Sequence, residues 1–316
     1  MDTTSSLARD ELSRVAPGGD TALTIGVFDG VHRGHRYLVA QLIERASARG
    51  LASGVITLHP HPILVLRPET PVAYLGSLEE RVELLRATGV GFVAPLTFSS
   101  ELAQLSAEDF MTIIVDELRP RFLLVGPDFA LGRRREGTPA SLADLGRKSG
   151  YEVEVLPPLQ QNGEVVSSTA VRNALAAGDM ETVADLLGRP FSLRGPVVHG
   201  AERGKSLGFP TANIGVSADL ALPPFGVYVT RAIVGEGQYP SVTNIGLRPT
   251  FEANERAVEV HVLDFEGEVY GQELRIELLH RLREERRFSG PEELTQQIRR
   301  DVEEARQLFR REAASL

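Results

Sequence analysis

The hydrophobic period of this chain changes once, and that change constrains its fold more than any other feature. Up to about residue 158, short apolar runs alternate with amphipathic stretches. The runs are Ala22 to Val27, Gly54 to Leu58, Val90 to Leu96, Arg121 to Val125 and Tyr151 to Leu156, and the stretches between them lie at about 35–49, 78–88, 107–118 and 140–149. Ser77 with Glu80, and Ser106 with Asp109, place a hydroxyl and a carboxylate where the free amides of a first helical turn need acceptors. This alternation predicts βαβ units on a parallel sheet. Two more helical segments, roughly 169–176 and 180–187, precede Gly188-Arg189-Pro190, which breaks the pattern and sets the expected domain boundary at 187/188. From Phe191 to about Leu279 the chain turns to β-rich runs separated by Gly and Pro, including Gly226 to Val234, Val258 to Phe265 and Glu273 to Leu279. A compact barrel or sandwich is the simplest outcome. From Pro291 to Ala314, Leu294, Ile298, Val302, Ala305 and Leu308 share one helical face, which predicts a helix packed on that barrel.

A length of 316 residues with 42% hydrophobic content supports two cores. The absence of Cys removes disulfides, thiolate zinc sites and cysteine nucleophiles, and the neutral expectation is a cytoplasmic protein. Met1 to Asp20 is polar, without the apolar stretch of a signal peptide, and reads as a loose leader. No apolar run approaches the ~18 residues of a membrane span. A net charge of -9 disfavours non-specific binding to nucleic acid or anionic membrane, and it leaves room for pockets that take phosphorylated small molecules. Oligomeric state is not legible, and a homo-oligomer is possible.

Gly26-Val27-Phe28-Asp29-Gly30-Val31-His32-Arg33-Gly34-His35 begins where the first predicted strand ends and leads into the first predicted helix. It therefore sits at the carboxyl edge of a parallel sheet, where such sheets bind ligands. The glycines permit close backbone approach, and a helix start offers free amides to phosphate. His32 and His35 would add side-chain donors to the same anion. A competing reading takes His32, His35, His59 and His61 as four metal ligands, but catalytic zinc sites more often mix ligand types and the glycines would be unexplained.

This segment resembles the His-x-Gly-His signature of nucleotidylyltransferases, in the form found in bacterial bifunctional FAD synthetases. Downstream, Ser167-Ser168-Thr169-Ala170-Val171-Arg172 is similar to that family's second nucleotide motif, Ser-Ser-Thr-x-x-Arg. Gly126-Pro127-Asp128-Phe129-Ala130-Leu131-Gly132 resembles its Gly-x-Asp/Asn-Phe-x-Phe-Gly loop, with Leu131 in place of the second aromatic. The resemblance implies that Gly26, Phe28, Asp29, Gly30, His32, Gly34, His35, Asp128, Ser167, Ser168, Thr169 and Arg172 handle the nucleotide, with His32 and His35 catalytic. Standing alone, Asp128 is as readily a turn residue and Ser167-Ser168 an ordinary helix cap. The run Arg133-Arg134-Arg135 reads first as a solvated face.

Gly200-Ala201-Glu202-Arg203-Gly204-Lys205-Ser206 has three residues where a P-loop needs four before Gly-Lys-Ser, and Gly208 and Pro210 follow where a helix should open. The P-loop reading fails. Thr211 and Asn213 lie two apart, so in an extended segment both point to one side. Two neutral oxygens suit Mg²⁺ already carrying ATP phosphates. A turn that satisfies its own Thr and Asn is the ordinary alternative. Gly208-Phe209-Pro210-Thr211-Ala212-Asn213 and the approach to it resemble riboflavin kinases, as do Asn244 to Phe251, Val258 to Phe265, Tyr270-Gly271 and Leu282 to Phe288.

From that resemblance, Glu259 is the expected catalytic base, Gly204, Lys205, Gly208, Pro210, Thr211 and Asn213 bind nucleotide, and Thr211 and Asn213 hold Mg²⁺. His61, Asn244 and Arg248 are assigned to flavin. The resemblance covers nearly the whole chain from about residue 21. It implies an α/β, Rossmann-like FMN adenylyltransferase domain over 1–187 and a six-stranded β-barrel riboflavin kinase domain with a C-terminal helix over 188–316. Riboflavin, FMN and ATP are the expected substrates, with ATP as co-substrate of both reactions. A kinase without adenylyltransferase activity, and a flavin-binding regulatory module, remain as alternatives.

Overall fold

The computed structural model describes residues 3–198, 208–249, 254–267 and 269–314, with side chains described over 6–198, 208–247, 256–267 and 269–311. The chain forms two compact units, Met1–Ser168 and Thr169–Leu316.

The first unit is built on a parallel sheet of five strands: β1 (Thr21–Gly26), β2 (Ala52–His59), β3 (Phe92–Thr97), β4 (Pro120–Val125) and β5 (Glu152–Val155), in the spatial order β3-β2-β1-β4-β5. The order reverses beside β1, so the crevice at its carboxyl end is the natural ligand position of such a sheet. Helices α2 (Arg33–Ala48), α3 (Pro62–Leu66), α4 (Leu78–Arg86), α5 (Ala107–Leu118) and α6 (Pro139–Ser149) connect the strands. The predicted caps form: Ser77 accepts the Glu80 amide at 3.1 Å and Ser106 accepts the Asp109 amide at 3.0 Å.

Residues 3–20 differ from the expected loose leader. Helix α1 (Thr3–Ser13) buries Ala8 and Leu12 in the cluster formed by Leu96, Phe110, Ile113 and Ile114. Arg9 pairs with Asp116 and Glu117 at 2.8 and 2.9 Å, and Glu11 accepts the Thr97 hydroxyl and amide. Too few apolar positions recur in so short a segment for its period to be read. Leu12 is fully buried. Leu12→Ala is therefore expected to cost the first unit about 2–5 kcal/mol, the usual range for a cavity left by a core leucine, measured as a lowered denaturant midpoint.

After a small hairpin, β6 (Gln160–Gln161) with β7 (Glu164–Val165), come helices α7 (Ser168–Ala177) and α8 (Met180–Leu187). The barrel follows: β8 (Phe191–Val198), β9 (Ala212–Ile214), β10 (Gly226–Val234), β11 (Gly237–Pro249), β12 (Asn254–Val262) and β13 (Glu273–Glu284) close antiparallel in the order β10-β11-β12-β9-β8-β13. Alternation assigns the faces. Val227, Val229 and Val242 turn outward onto Ala305 of α9 (Pro291–Ala314), while Tyr228, Thr230, Thr243, Ile245, Val258 and Val260 fill the barrel. The hydroxyls inside are satisfied by one another: Thr230 bonds Ser241 at 2.8 Å and Thr243 at 2.7 Å.

Helix α8 buries Met180, Val183 and Leu187 and packs against β8 and β13. Packing thus groups α7 and α8 with the barrel, upstream of the 187/188 boundary at which the hydrophobic period changes.

Candidate functional site

In the first unit the strand β1 ends at Gly26 and the chain makes a tight turn before α2 begins. Phe28, Gly30 and Val31 have φ of 55°, 76° and 40°, the left-handed region, which costs a side-chain-bearing residue and suits Gly30. Gly34 is required by contact: a Cβ there would stand 2.8 Å from the Val166 carbonyl oxygen. His32 caps α2, its Nδ1 accepting the His35 amide at 3.3 Å. The two imidazoles stack with centroids 3.6 Å apart, and the Phe28 ring lies 5.0 Å from His35. His32 is buried, and Nδ1 of His35 is buried without a hydrogen-bond partner. Burial pushes the His35 pKa well below the usual histidine value, and His32 and Arg81 push it the same way. A neutral imidazole at a helix start, beside free amides, can donate to an incoming phosphate without an ion to desolvate.

Asp29 turns inward. It is 2% exposed, and both its carboxylate oxygens accept the Leu75 amide, at 3.0 and 3.2 Å. Ser168 donates to the Asp29 carbonyl at 2.9 Å, which brings the start of the second predicted motif onto the turn of the first. Ser167 is partly buried, and Thr169 and Arg172 follow on α7 in the second compact unit. His61 caps α3 through Nδ1, which accepts the Ile63 amide at 3.2 Å, and its own amide donates to the Tyr74 hydroxyl at 2.7 Å. Asp128 is exposed, and its carbonyl accepts Arg135 at 3.0 Å. Leu131, the departure from the family loop, is held by paired backbone bonds to Gly137 of 3.2 and 2.9 Å, so the loop closes without a second aromatic.

The same sheet edge carries a cavity of about 460 Å³ lined by Ile25, Leu58, Phe98, Phe110, Phe129 and Leu131, with Arg67 and Arg133 to Arg135 around it. An apolar floor with a cationic rim fits a flat heteroaromatic ring that carries an anionic tail. The arginine run is exposed, as a solvated face would be, and it also borders this cavity. Its association with distant Phe98 and Phe110 has no signal in the local sequence.

In the second unit a cavity of about 290 Å³ opens between the outer barrel face and α9, lined among others by Phe209, Thr211, Asn244, Glu259, His261 and Phe288. Strand register produces this cluster: Glu259 on β12 stands opposite Asn213 of β9 on one side and Asn244 of β11 on the other. Asn213 is buried, and Thr211 precedes it by two positions. His261 Nδ1 donates to the Pro210 carbonyl at 2.8 Å, tying the approach segment to β12, and Gly208 is left-handed at φ 85°. Across the cavity, Arg283 forks onto Asp301 of α9 at 2.8–3.1 Å, with Gln297 also bonding Asp301. The Phe288 ring stacks under Arg286. Asp301 interrupts the apolar stripe of α9, and that interruption was its available sequence signal.

Gly204 and Lys205, and the side chain of Arg248, lie outside the described residues. Among the described residues no three His, Cys, Asp or Glu gather as a metal site, so the four-histidine reading finds no support. A carboxylate beside a neutral hydroxyl and a neutral amide is a donor set that fits a hard cation sharing substrate phosphates.

Residues 16–170 match the family model described as FAD synthetase, and residues 187–309 match the model described as riboflavin kinase. The chain is 39% identical over 296 residues to a bifunctional riboflavin kinase/FMN adenylyltransferase of Escherichia coli K12, covering 93% of this chain and 94% of that protein. It is 42% identical over 287 residues to the protein of the same description from Pseudomonas fluorescens, covering 90% and 92%. A crystal structure described as a macrolide-efflux protein from Streptococcus pneumoniae superposes with a TM-score of 0.85 at 29% identity, covering 93% of this chain and 96% of that one. Among the described residues of the present chain no helix is long and apolar enough to cross a membrane.

Proposed function

The chain belongs to the bifunctional riboflavin kinase/FMN adenylyltransferase family, and we propose that the residues gathered at its two cavities divide the two reactions between its two units. It phosphorylates riboflavin to FMN and adenylylates FMN to FAD. The observation that carries the division is the placement of Glu259 on a cavity wall between Asn213 and Asn244, wholly within the second unit, while the stacked histidines belong wholly to the first.

In the kinase, the ribityl 5′-hydroxyl oxygen attacks the γ-phosphorus of ATP, its bond to ADP breaks, and Glu259 accepts the hydroxyl proton. Thr211 and Asn213 are the residues that would hold Mg²⁺, which neutralises phosphate charge when bound. Gly208 and Pro210 shape the approach, Asn244 and Arg248 are assigned to flavin, and Gly204 and Lys205 to nucleotide. In the adenylyltransferase, an FMN phosphate oxygen attacks the α-phosphorus of a second ATP and pyrophosphate leaves. His32, His35 and the first amides of α2 hold the triphosphate as charge moves onto the leaving group. Ser167 and Ser168 add hydroxyls to that nucleotide site, the resemblance assigns Thr169 and Arg172 to nucleotide as well, and the cavity at Phe98, Phe110 and Phe129 takes the flavin ring.

We place the functional division at 187/188, where neither family model claims the helices between residues 170 and 187. Every described kinase residue lies beyond it. A fragment spanning 169–316 is expected to fold and to convert riboflavin to FMN with Mg-ATP, producing no FAD by chromatography. A fragment spanning 188–316 keeps the same site but bares the β8 and β13 surface under Met180, Val183 and Leu187, so it should melt at a lower temperature. A folded 169–316 fragment without kinase activity, beside an active whole chain, would show that the site needs the first unit.

A further inference from the structure

Arg81 is 2% exposed and lies on α4, a helix to which neither reaction assigns a residue. Taking a guanidinium out of water is costly, and such a group is retained where partners hold it. Its Nη1 donates to the Leu58 carbonyl at 3.3 Å, its guanidinium carbon stands 5.5 Å from the centre of the Tyr74 ring, and its Nη2 is 3.8 Å from Asp29 Oδ1. Asp29 in turn holds the Leu75 amide. Arg81 thus stands where the turn after β1, the end of β2 and the segment leading to α4 converge. The turn it meets is strained, with φ of 55° at Phe28 and 40° at Val31, and such backbone persists only where its surroundings over-determine it.

We propose that Arg81 is a positioning residue for adenylyl transfer: it neutralises buried Asp29, fixes the 28–31 turn, and so sets His32 and His35 at the start of α2. The groups around His35 are His32 stacked upon it, Asp29 in the preceding turn and Arg81 from α4, while Arg33 and Arg36 are exposed on α2 itself. The Arg81 charge also helps to keep His35 neutral, after burial and His32. This inference rests on the assignment of the two histidines to the adenylylation site.

Arg81→Met should lower kcat for FAD formation by at least about tenfold, the scale of a small misplacement of reacting groups, with less change in KM for ATP. Riboflavin phosphorylation in the other unit should hold. In an NMR pH titration His35 should take up its proton at higher pH than in the unmodified enzyme, because a nearby positive charge is gone. Arg81→Lys keeps the charge, so it should leave that titration in place and retain more FAD formation. Arg81→Met with Asp29→Asn removes both buried charges and should recover part of the loss. Wild-type FAD formation by Arg81→Met overturns the proposal. So does an equal fall in the Met and Lys variants with His35 titrating unchanged, which is the outcome of a merely structural role. If Arg81→Met alone does not fold, the folded double variant decides: full FAD formation overturns the proposal, and a loss confined to FAD with His35 shifted upward supports it. His35→Ala that still makes FAD would instead remove the assignment beneath it.

Discussion

His35→Ala is expected to reduce FAD formation by about 10²- to 10³-fold while leaving FMN formation unchanged, the loss that follows removal of one preorganised donor to transition-state charge. The site has few substitutes for this group. His32 is buried and spends Nδ1 on the His35 amide, while Asp29 spends its carboxylate on Leu75. Truncation also removes the stack at 3.6 Å that holds the His32 ring, so the effect should exceed that of a lone surface donor. The measurement supplies FMN and Mg-ATP and follows FAD and pyrophosphate, with riboflavin phosphorylation as the internal control for folding. Unchanged FAD synthesis in the folded variant defeats the assignment.

Glu259→Gln should lower FMN production by at least about 10²-fold, the usual worth of a positioned general base, with FAD production from supplied FMN nearly unaffected. The amide keeps the size of the side chain and its capacity to hydrogen-bond, so β12 should remain in register with β9 and β11. It cannot accept the proton of the attacking hydroxyl. The change therefore separates proton transfer from positioning, and it should appear in kcat more than in the KM for riboflavin. If kinase turnover survives, the carboxylate holds something other than that proton.

Much of the candidate site was legible because its motifs are local. Gly30, His32, Gly34 and His35 lie within one turn and the helix it opens, so their spacing alone points to a helix start suited to phosphate. Thr211 and Asn213 are likewise close in sequence, Asn213 on β9 and Thr211 just before it. The role of Asp29 was not legible in the same way. The resemblance assigns Asp29 to the nucleotide, and no local pattern announces that its carboxylate faces inward onto the Leu75 amide and the Arg81 guanidinium. Arg81 carries no sequence signal of its own, since no local pattern distinguishes a buried arginine from a solvated one.

By itself the sequence determined an α/β unit followed by a β-rich one, because hydrophobic period and turn chemistry are properties of neighbouring residues, while the choice of a barrel over a sandwich came with the resemblance to riboflavin kinases. It also determined α9 from Pro291 to Ala314, whose apolar stripe is long enough to fix its period. Only the tertiary structure decided that residues 3–13 form a docked helix, that α8 covers the barrel, and that Phe98 and Phe110 share a cavity with Arg133 to Arg135. Those outcomes depend on which surfaces remain uncovered once the sheet and the barrel have formed. A short segment with two buried side chains gains its stability from the surface it covers, and that surface is assembled from strands and helices far away in the chain.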